Sequence, residues 1–136
     1  MQVSHVMQRT VVTVTPEMSL AEVQRLMREK RIRHLPVVSG KKLVGIVTDR
    51  DIREAVPSPA TTLSRGEIVY QMDTTAVETC MTKEVVTVSP QTELIQAARV
   101  LLEHKFGALL VVERGTLVGI VTEIDFLRAL LASSNA

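Results

Sequence analysis

Apolar and polar positions alternate along the chain with a period that changes in a fixed order. Residues 11–14 form a short β-branched run, which Pro16 closes because proline has no amide hydrogen to donate to a strand ladder. Ser19 then stands before a stretch with helical spacing, where its hydroxyl can cap the first turn. The pattern predicts a strand and then a capped helix, whose apolar face comprises Leu20, Val23, Leu26 and Met27.

Two further apolar runs follow this helix. They cover residues 35–38 and 43–47, and the polar residues between them include Gly40, which can adopt a positive φ. A β-hairpin is the simplest interpretation. The second run leads into another helix that begins near Thr48, so the pattern of this unit is β-α-β-β-α.

The same pattern returns 74 positions later without a gap. Residues 7–52 align with residues 81–126, and 19 of these 46 pairs are identical. A duplicated pattern of this kind requires both copies to share one fold. We therefore predict an α+β protein with one domain at residues 1–56, a linker at residues 57–76 and a second domain at residues 77–136. The helices of the second copy carry Leu94, Ala97, Ala98, Leu101 and Leu102, and then Phe126, Leu127, Leu130 and Leu131.

The linker carries its own signals. Pro57 and Pro59 are expected to end the last helix of the first copy, because a proline inside a helix loses a hydrogen bond and clashes with the preceding turn. Ser64 and Glu67 stand at capping-box spacing, which predicts a short helix through Met72. Small apolar segments at residues 6–7 and 80–81 lead into the first strand of each copy.

Composition narrows the possible functions. Hydrophobic residues make up 46% of the chain and aromatic residues 2%, and the net charge is +1 without a basic run, so nucleic acid is not an expected partner. The single cysteine, Cys80, is expected to be a buried apolar side chain, and its isolation favours a reducing, cytoplasmic compartment. The chain shows neither a signal-peptide pattern nor a run of about 18 apolar residues, so we expect no membrane span. His5 and His104 have no second ligand at metal spacing, and no metal site is expected.

Three sequence strings carry a resemblance to a known family. Residues 45–51 read Gly-Ile-Val-Thr-Asp-Arg-Asp, residues 119–125 read Gly-Ile-Val-Thr-Glu-Ile-Asp, and residues 33–38 read Arg-His-Leu-Pro-Val-Val. In the doubled β-α-β-β-α order, they resemble a tandem pair of CBS domains, and also the CBS portion of acetoin-utilisation proteins of the AcuB type. The resemblance implies two repeats packed around a pseudo-two-fold axis. It also implies a homodimeric, non-catalytic sensor that binds AMP, ADP, ATP or S-adenosylmethionine and signals to an unknown target protein.

The resemblance also implies a set of ligand-binding residues. Asp51 and Asp125 would accept hydrogen bonds from a ribose diol, since an ionised carboxylate is a strong acceptor. Thr48 and Thr122 would lie at helix N-termini, which favour phosphate oxygens. In such proteins, the aspartate of one repeat commonly works with the first strand of the other. The backbone positions expected to read adenine are Thr10, Val11 and Val12 for one cleft, and Glu84, Val85 and Val86 for the other.

The two copies differ where the ligand charge matters. Arg33 and His34, which face the ligand phosphates in similar proteins, are replaced by Gly107 and Ala108 in the second copy. Arg50 is likewise replaced by an apolar residue, Ile124. A guanidinium and an imidazole suit a phosphate. We therefore expect a phosphate-bearing site centred on Asp51, with the Asp125 site weaker, empty or used for an uncharged nucleoside.

Simpler interpretations of these residues remain open. Thr48 with Asp51, and Thr122 with Asp125, also fit an ordinary capping box. Gly45 and Gly119 fit positions where another backbone approaches closely. Arg33 and His34 fit a solvated helix end. A structural dimerisation module that binds no ligand is the alternative function. We expect no enzyme, because the sequence has no serine elbow, no phosphate-cradling glycine loop and no histidine paired with a nucleophile.

Overall fold

The computed structural model describes residues 1–56, 62–105 and 107–134. The chain divides into two compact units, which we call the central unit, Val12–Glu84, and the terminal unit, Met1–Val11 with Val85–Ala136. The segment that precedes the first strand of each repeat therefore belongs to the compact unit of the other repeat. The predicted domain limits follow the sequence repeats and stay predictions, whereas the compact units follow contacts in space.

The central unit has three α-helices, a short 3-10 helix (Val77–Thr79) and a hairpin among its described residues. The hairpin is antiparallel and turns at Gly40, whose φ of +63° is the positive value that the sequence predicts there. Both copies of the hairpin have a register irregularity in the first strand, at Val37/Val38 in this unit and at Val111/Val112 in the terminal unit. The elements are α1 (Leu20–Lys30), β1 (His34–Ser39), β2 (Lys42–Thr48), α2 (Asp49–Ala55) and α3 (Arg65–Thr74).

Helix α1 shows why the local sequence forms these elements. The Ser19 hydroxyl accepts a hydrogen bond from the Glu22 backbone N–H at 3.1 Å, which confirms the predicted cap. The helix ends where Arg31 adopts a left-handed conformation, with φ of 55°. One face of α1 packs on the central core, whose buried members are Val14, Leu20, Val23, Met27, Leu35, Val37, Val47, Ile52 and Val77.

The terminal unit repeats this arrangement. Strand β3 (Thr87–Val88) pairs parallel with β4 (Ala108–Glu113), which pairs antiparallel with β5 (Thr116–Thr122). Helices α4 (Leu94–His104) and α5 (Glu123–Ser134) and a short 3-10 helix (Val3–His5) complete the unit. The α+β prediction and both hairpins are confirmed. The core of this unit is formed by Val3, Met7, Ala97, Leu101, Leu109, Val111 and Val121.

The predicted first strand of each repeat is shorter than the sequence indicates. Residues 11–14 form only one parallel bridge, between Val14 and Val37, whereas the second repeat forms a two-residue ladder. The next ladder bond would run from residue 36 to the carbonyl of Val12, and Pro36 has no N–H to donate. In the second repeat that position is Leu110, and it pairs with Thr87. The strand prediction at residues 11–13 was therefore wrong because of Pro36.

Between the repeats, the predicted short helix is confirmed as α3. The Ser64 hydroxyl accepts from the Glu67 N–H at 3.1 Å, and the Glu67 carboxylate accepts from the Ser64 N–H at 3.2 Å. The predicted helix stops at Pro57 and Pro59 lie outside the described residues. Among the residues that the structure describes, no helix is both long and apolar enough to cross a membrane.

Candidate functional site

The segment of the second repeat that contains Thr82 lies beside the N-terminus of α2 in the central unit. Thr82 forms an antiparallel bridge with Ile46, with N–H to carbonyl distances of 2.8 and 2.9 Å. The close approach depends on Gly45. A Cβ atom there would lie 2.8 Å from the Met81 sulfur and 2.9 Å from the Thr82 carbonyl oxygen. The interpretation of Gly45 as a point of close backbone approach is confirmed.

The terminal unit has the equivalent arrangement, made with the N-terminal segment. Gln8 bridges Ile120, with N–H to carbonyl distances of 2.8 and 3.0 Å. A Cβ atom on Gly119 would lie 2.8 Å from the Met7 sulfur and 3.1 Å from the Gln8 carbonyl oxygen. The apolar lead-in of each repeat therefore packs beside the glycine of the other repeat.

The carboxylate of Asp51 lies in the first turn of α2. It accepts from the Thr48 backbone N–H at 3.0 Å, while the Thr48 hydroxyl accepts from the Asp51 N–H at 3.1 Å. The capping-box interpretation is therefore confirmed for this pair. The Thr82 hydroxyl lies 3.4 and 3.5 Å from the two carboxylate oxygens, and Asp51 is only half-buried. The helix cap and Thr82, which stands in the segment leading into the second repeat, together orient the Asp51 carboxylate.

Asp125 has a similar position in α5 but a more enclosed environment. Its Oδ2 accepts from the Thr122 N–H at 2.8 Å and from the Thr122 hydroxyl at 3.2 Å. The Gln8 side-chain amide donates to both carboxylate oxygens, at 3.3 and 3.4 Å. Asp125 is 5% exposed, and every buried side-chain polar atom in the described residues has a hydrogen-bond partner.

The neighbourhood of Asp51 also contains the single cysteine. Burial raises the pKa of the Cys80 thiol, and the negative charge of Asp51 raises it further. Cys80 packs against the central core as predicted, but it is half-buried rather than buried. A raised pKa keeps the thiol protonated near neutral pH, and the thiolate is the reactive form.

The basic residues predicted to face a phosphate lie partly around the start of α2. His34, the first residue of β1, pairs across the hairpin with Thr48. Arg33 is exposed, and its carbonyl accepts from the Asp49 N–H at 3.1 Å. Arg50 instead forms an ion pair with Glu54 at 3.0 Å on the exposed surface of α2. In the terminal unit, the position of His34 is taken by Ala108, which is buried and pairs with Thr122.

The residues whose backbone is predicted to contact adenine come shortly after Gln8 and Thr82, and they lie outside regular strands. Their role in binding adenine stays a prediction. Thr10 and Val11 share the terminal unit with Gln8 and Asp125, and Glu84 shares the central unit with Thr82 and Asp51. The remaining three divide between the units: Val12 belongs to the central unit, and Val85 and Val86 belong to the terminal unit.

Sequence reasoning missed Gln8 and Thr82, which contact the two carboxylates. A signal was present, because the two residues are repeat equivalents that differ in chemistry and stand two positions before Thr10 and Glu84. Their contacts join residues 117 and 31 positions apart, and local patterns cannot reveal such pairs. In the part of the chain that the structure describes, no group of His, Cys, Asp and Glu could hold a metal ion.

Comparison with known proteins identifies relatives of both repeats. The profile of a family described as CBS domain matches residues 3–58 and 77–132. An inosine-5'-monophosphate dehydrogenase from Korarchaeum cryptofilum is 41% identical over 118 residues, which are 86% of this chain and 22% of that protein. A 17.7 kDa protein from Acidianus ambivalens is 34% identical over 132 residues, covering 96% of this chain and 73% of that protein. The chain spans less than half the length of the first curated relatives that it matches.

Solved structures agree with this match. A Vibrio cholerae protein described as an acetoin utilization protein (AcuB) has a TM-score of 0.82 at 32% identity, over 99% of this chain and 93% of its own. CBSX2 in complex with AMP has a TM-score of 0.81 at 30% identity, over 96% and 97%. The CBS domain pair of MJ0100, in complex with 5'-methylthioadenosine and S-adenosyl-L-methionine, has a TM-score of 0.80 at 25% identity, over 98% of each chain. The resemblance to a tandem CBS pair is confirmed.

Proposed function

Because the chain belongs to the CBS domain family, we propose that it is a regulatory module that binds an adenine nucleotide and signals the bound state to a target protein. The observation that carries this proposal is the half-buried carboxylate of Asp51, held by its own helix cap and by a residue of the other repeat. Two structural neighbours bind adenosine compounds, AMP in one case and 5'-methylthioadenosine with S-adenosyl-L-methionine in the other. The features that these ligands share are adenine and a ribose.

The Asp51 carboxylate has the chemistry to hold the ribose. Its Oδ2 accepts one hydrogen bond from the Thr48 backbone N–H. Its Oδ1 is contacted by the Thr82 hydroxyl, at 3.5 Å, and that hydroxyl also contacts Oδ2. A carboxylate offers about four acceptor positions, so Asp51 retains the capacity for two donors from a vicinal diol. Hydrogen bonds to an ionised acceptor are about twice as strong as neutral ones, which favours a sugar at this position.

Basic side chains near Asp51 support a phosphate-bearing ligand. Arg33 directly precedes β1, and His34 is the first residue of that strand. His34 pairs with Thr48, which caps the helix that carries Asp51. Arg50 is 79% exposed in its ion pair with Glu54, and exposed pairs of this type contribute only about 0–1 kcal/mol. Arg50 can therefore exchange Glu54 for a phosphate at small cost. Glu84, two residues beyond Thr82 and in the same unit as Asp51, is a proposed backbone contact for adenine.

An exposed apolar face on α5 supports assembly as a homodimer. Ile124, Leu127, Leu130 and Leu131 are each between 58% and 66% exposed. Their spacing places them along one side of a helix, and large contiguous apolar patches commonly mark interaction surfaces. A homodimer is compatible with the nucleotide sensor, and it is also what the alternative function, a ligand-free dimerisation module, requires.

Thermal unfolding with and without ligand tests the proposed function. The experiment adds AMP, ATP, S-adenosylmethionine or NAD at millimolar concentration, and a bound ligand stabilises by about 2.7 kcal/mol at one hundred times its Kd. We expect at least one compound to raise the Tm, and Asp51→Asn to abolish the rise. Asp73→Asn, on the exposed surface of α3, is the matched control. No rise with any compound favours the dimerisation module, and hydrolysis of ATP favours an enzyme.

A further inference from the structure

We propose that the side-chain amide of Gln8 occupies Asp125 in place of a ribose, so that Gln8 selects Asp51 as the carboxylate that takes a ligand. This inference rests on the proposed function and adds the residue that makes the two repeats unequal. It concerns side chains within each compact unit: Gln8 with Asp125 in the terminal unit, and Thr82 with Asp51 in the central unit.

The Gln8 amide donates to the carboxylate that is equivalent to Asp51. Gln8 Nε2 lies 3.3 Å from Oδ1 and 3.4 Å from Oδ2 of Asp125, so one N–H is shared between the two oxygens at the position where a ribose hydroxyl would donate. The backbone and the hydroxyl of Thr122 already donate to Oδ2 at 2.8 and 3.2 Å. Asp125 is therefore supplied with donors on both oxygens and is 5% exposed.

Asp51 differs because the equivalent residue is threonine, whose side chain is shorter than that of glutamine. The Thr82 Oγ1 shares its proton between the two carboxylate oxygens at 3.4 and 3.5 Å. The Thr48 hydroxyl accepts from the Asp51 N–H, whereas the Thr122 hydroxyl donates to Asp125. Asp51 is also half-buried rather than buried. The same acid at the same position of the repeat thus accepts from a backbone N–H and a hydroxyl and is half-buried in one unit, and accepts from a backbone N–H, a hydroxyl and a side-chain amide and is buried in the other.

The difference has a direct effect on affinity. A sugar that binds Asp125 must first displace the Gln8 amide, so hydrogen bonds are exchanged and few are added. A sugar that binds Asp51 adds hydrogen bonds to a charged acceptor. The loss of one such bond corresponds to about a tenfold weaker affinity. Removing the long amide from residue 8 should open Asp125, and placing it at residue 82 should close Asp51.

The repeat supplies matched variants for the test. Gln8→Thr gives the terminal unit the residue of the central unit, and Thr82→Gln makes the reverse change. Calorimetric titration with adenosine counts the binding sites, because adenosine has the ribose diol but no phosphate for Arg33 or His34 to select. Circular dichroism and thermal unfolding without ligand establish that each variant is folded.

We expect one adenosine per chain for the unaltered protein and two for Gln8→Thr. Thr82→Gln should weaken the original site by about tenfold. The second site of Gln8→Thr should be lost with 2'-deoxyadenosine, which lacks one hydroxyl, and after the further change Asp125→Asn. If Gln8→Thr binds one adenosine like the unaltered protein, or if the unaltered protein already binds two, Gln8 does not select the site, while the proposed function stands. If neither protein binds adenosine or AMP, both the inference and the proposed function are wrong.

Discussion

The backbone of Thr82 passes so close to Gly45 that a Cβ atom on the glycine would lie 2.9 Å from the Thr82 carbonyl oxygen. Gly45 stands in the middle of β2, and Thr82 lies in the segment that leads into the second repeat. Their contact fixes the position of the hydroxyl that reaches Asp51. The glycine at this position of each repeat therefore allows the lead-in of the other repeat to approach the strand closely.

Gly45→Ala should destabilise the protein. The added methyl group meets the backbone of Thr82 as well as the Met81 side chain, and overpacking of this kind costs about 1–3 kcal/mol. Urea unfolding measures the change. Gly66→Ala is the control, because its nearest neighbour would be 4.0 Å away and alanine in a helix is about 0.5–1 kcal/mol more favourable than glycine. Equal stability of the Gly45→Ala and unaltered proteins would contradict the close approach.

Val3→Ala and Val77→Ala should weaken different units, although the two residues are repeat equivalents. Both side chains are 0% exposed, and Val3 packs in the terminal core while Val77 packs in the central core. Each loses buried methyl groups, at about 0.8 kcal/mol per group before any cavity cost. Hydrogen exchange should show faster exchange in α4 for Val3→Ala and in α1 for Val77→Ala. The opposite pattern would mean that each lead-in packs within its own repeat.

Pro36→Leu should extend the parallel pairing of the first repeat. The new N–H can donate to the carbonyl of Val12, as the ladder in the second repeat has Leu110 paired with Thr87. The amide of residue 36 should then exchange slowly with solvent. Leu35→Ile, on the same strand, is a control that changes shape without adding a donor. Fast exchange at residue 36 would show that something other than proline ends the ladder.

Alkylation of Cys80 should have a midpoint at higher pH in the folded protein than in the unfolded chain. Burial and the charge of Asp51 both raise the pKa of the thiol, so it stays neutral over a wider pH range when folded. The associated stability is fully present below the unfolded pKa and is lost as pH rises through the folded pKa. Iodoacetamide labelling against pH measures the midpoint. Asp51→Asn should lower it, and Asp73→Asn should leave it unchanged.

Leu130→Glu should dissociate a homodimer that forms through α5. Leu130 is 66% exposed and lies among the apolar residues of that helix. A carboxylate in an apolar interface must be desolvated without a partner, which is strongly unfavourable. Sedimentation velocity measures the assembly. Val69→Glu, at an exposed apolar residue of α3, should leave it unchanged. A dimer that survives Leu130→Glu must use another surface.

The sequence alone predicts much of the fold because the relevant signals are local. Helical spacing identifies α1 and α4, Ser19 and Ser64 mark helix starts by capping, and Gly40 marks the hairpin turn. The aspartates of the candidate site follow from the repeated strings that end at residues 51 and 125. The first strand was overestimated, since its length depends on the donors of a partner strand that is distant in sequence.

By itself, the sequence determined that one β-α-β-β-α unit occurs twice and that each copy places an aspartate in the first turn of its last helix. These features depend on periodicity, capping and repetition, which act over a few residues. The tertiary structure alone decided that each lead-in packs on the other repeat, and therefore that Gln8 meets Asp125 while Thr82 meets Asp51. Such pairs depend on which surfaces bury together over long separations, and no local pattern specifies that choice.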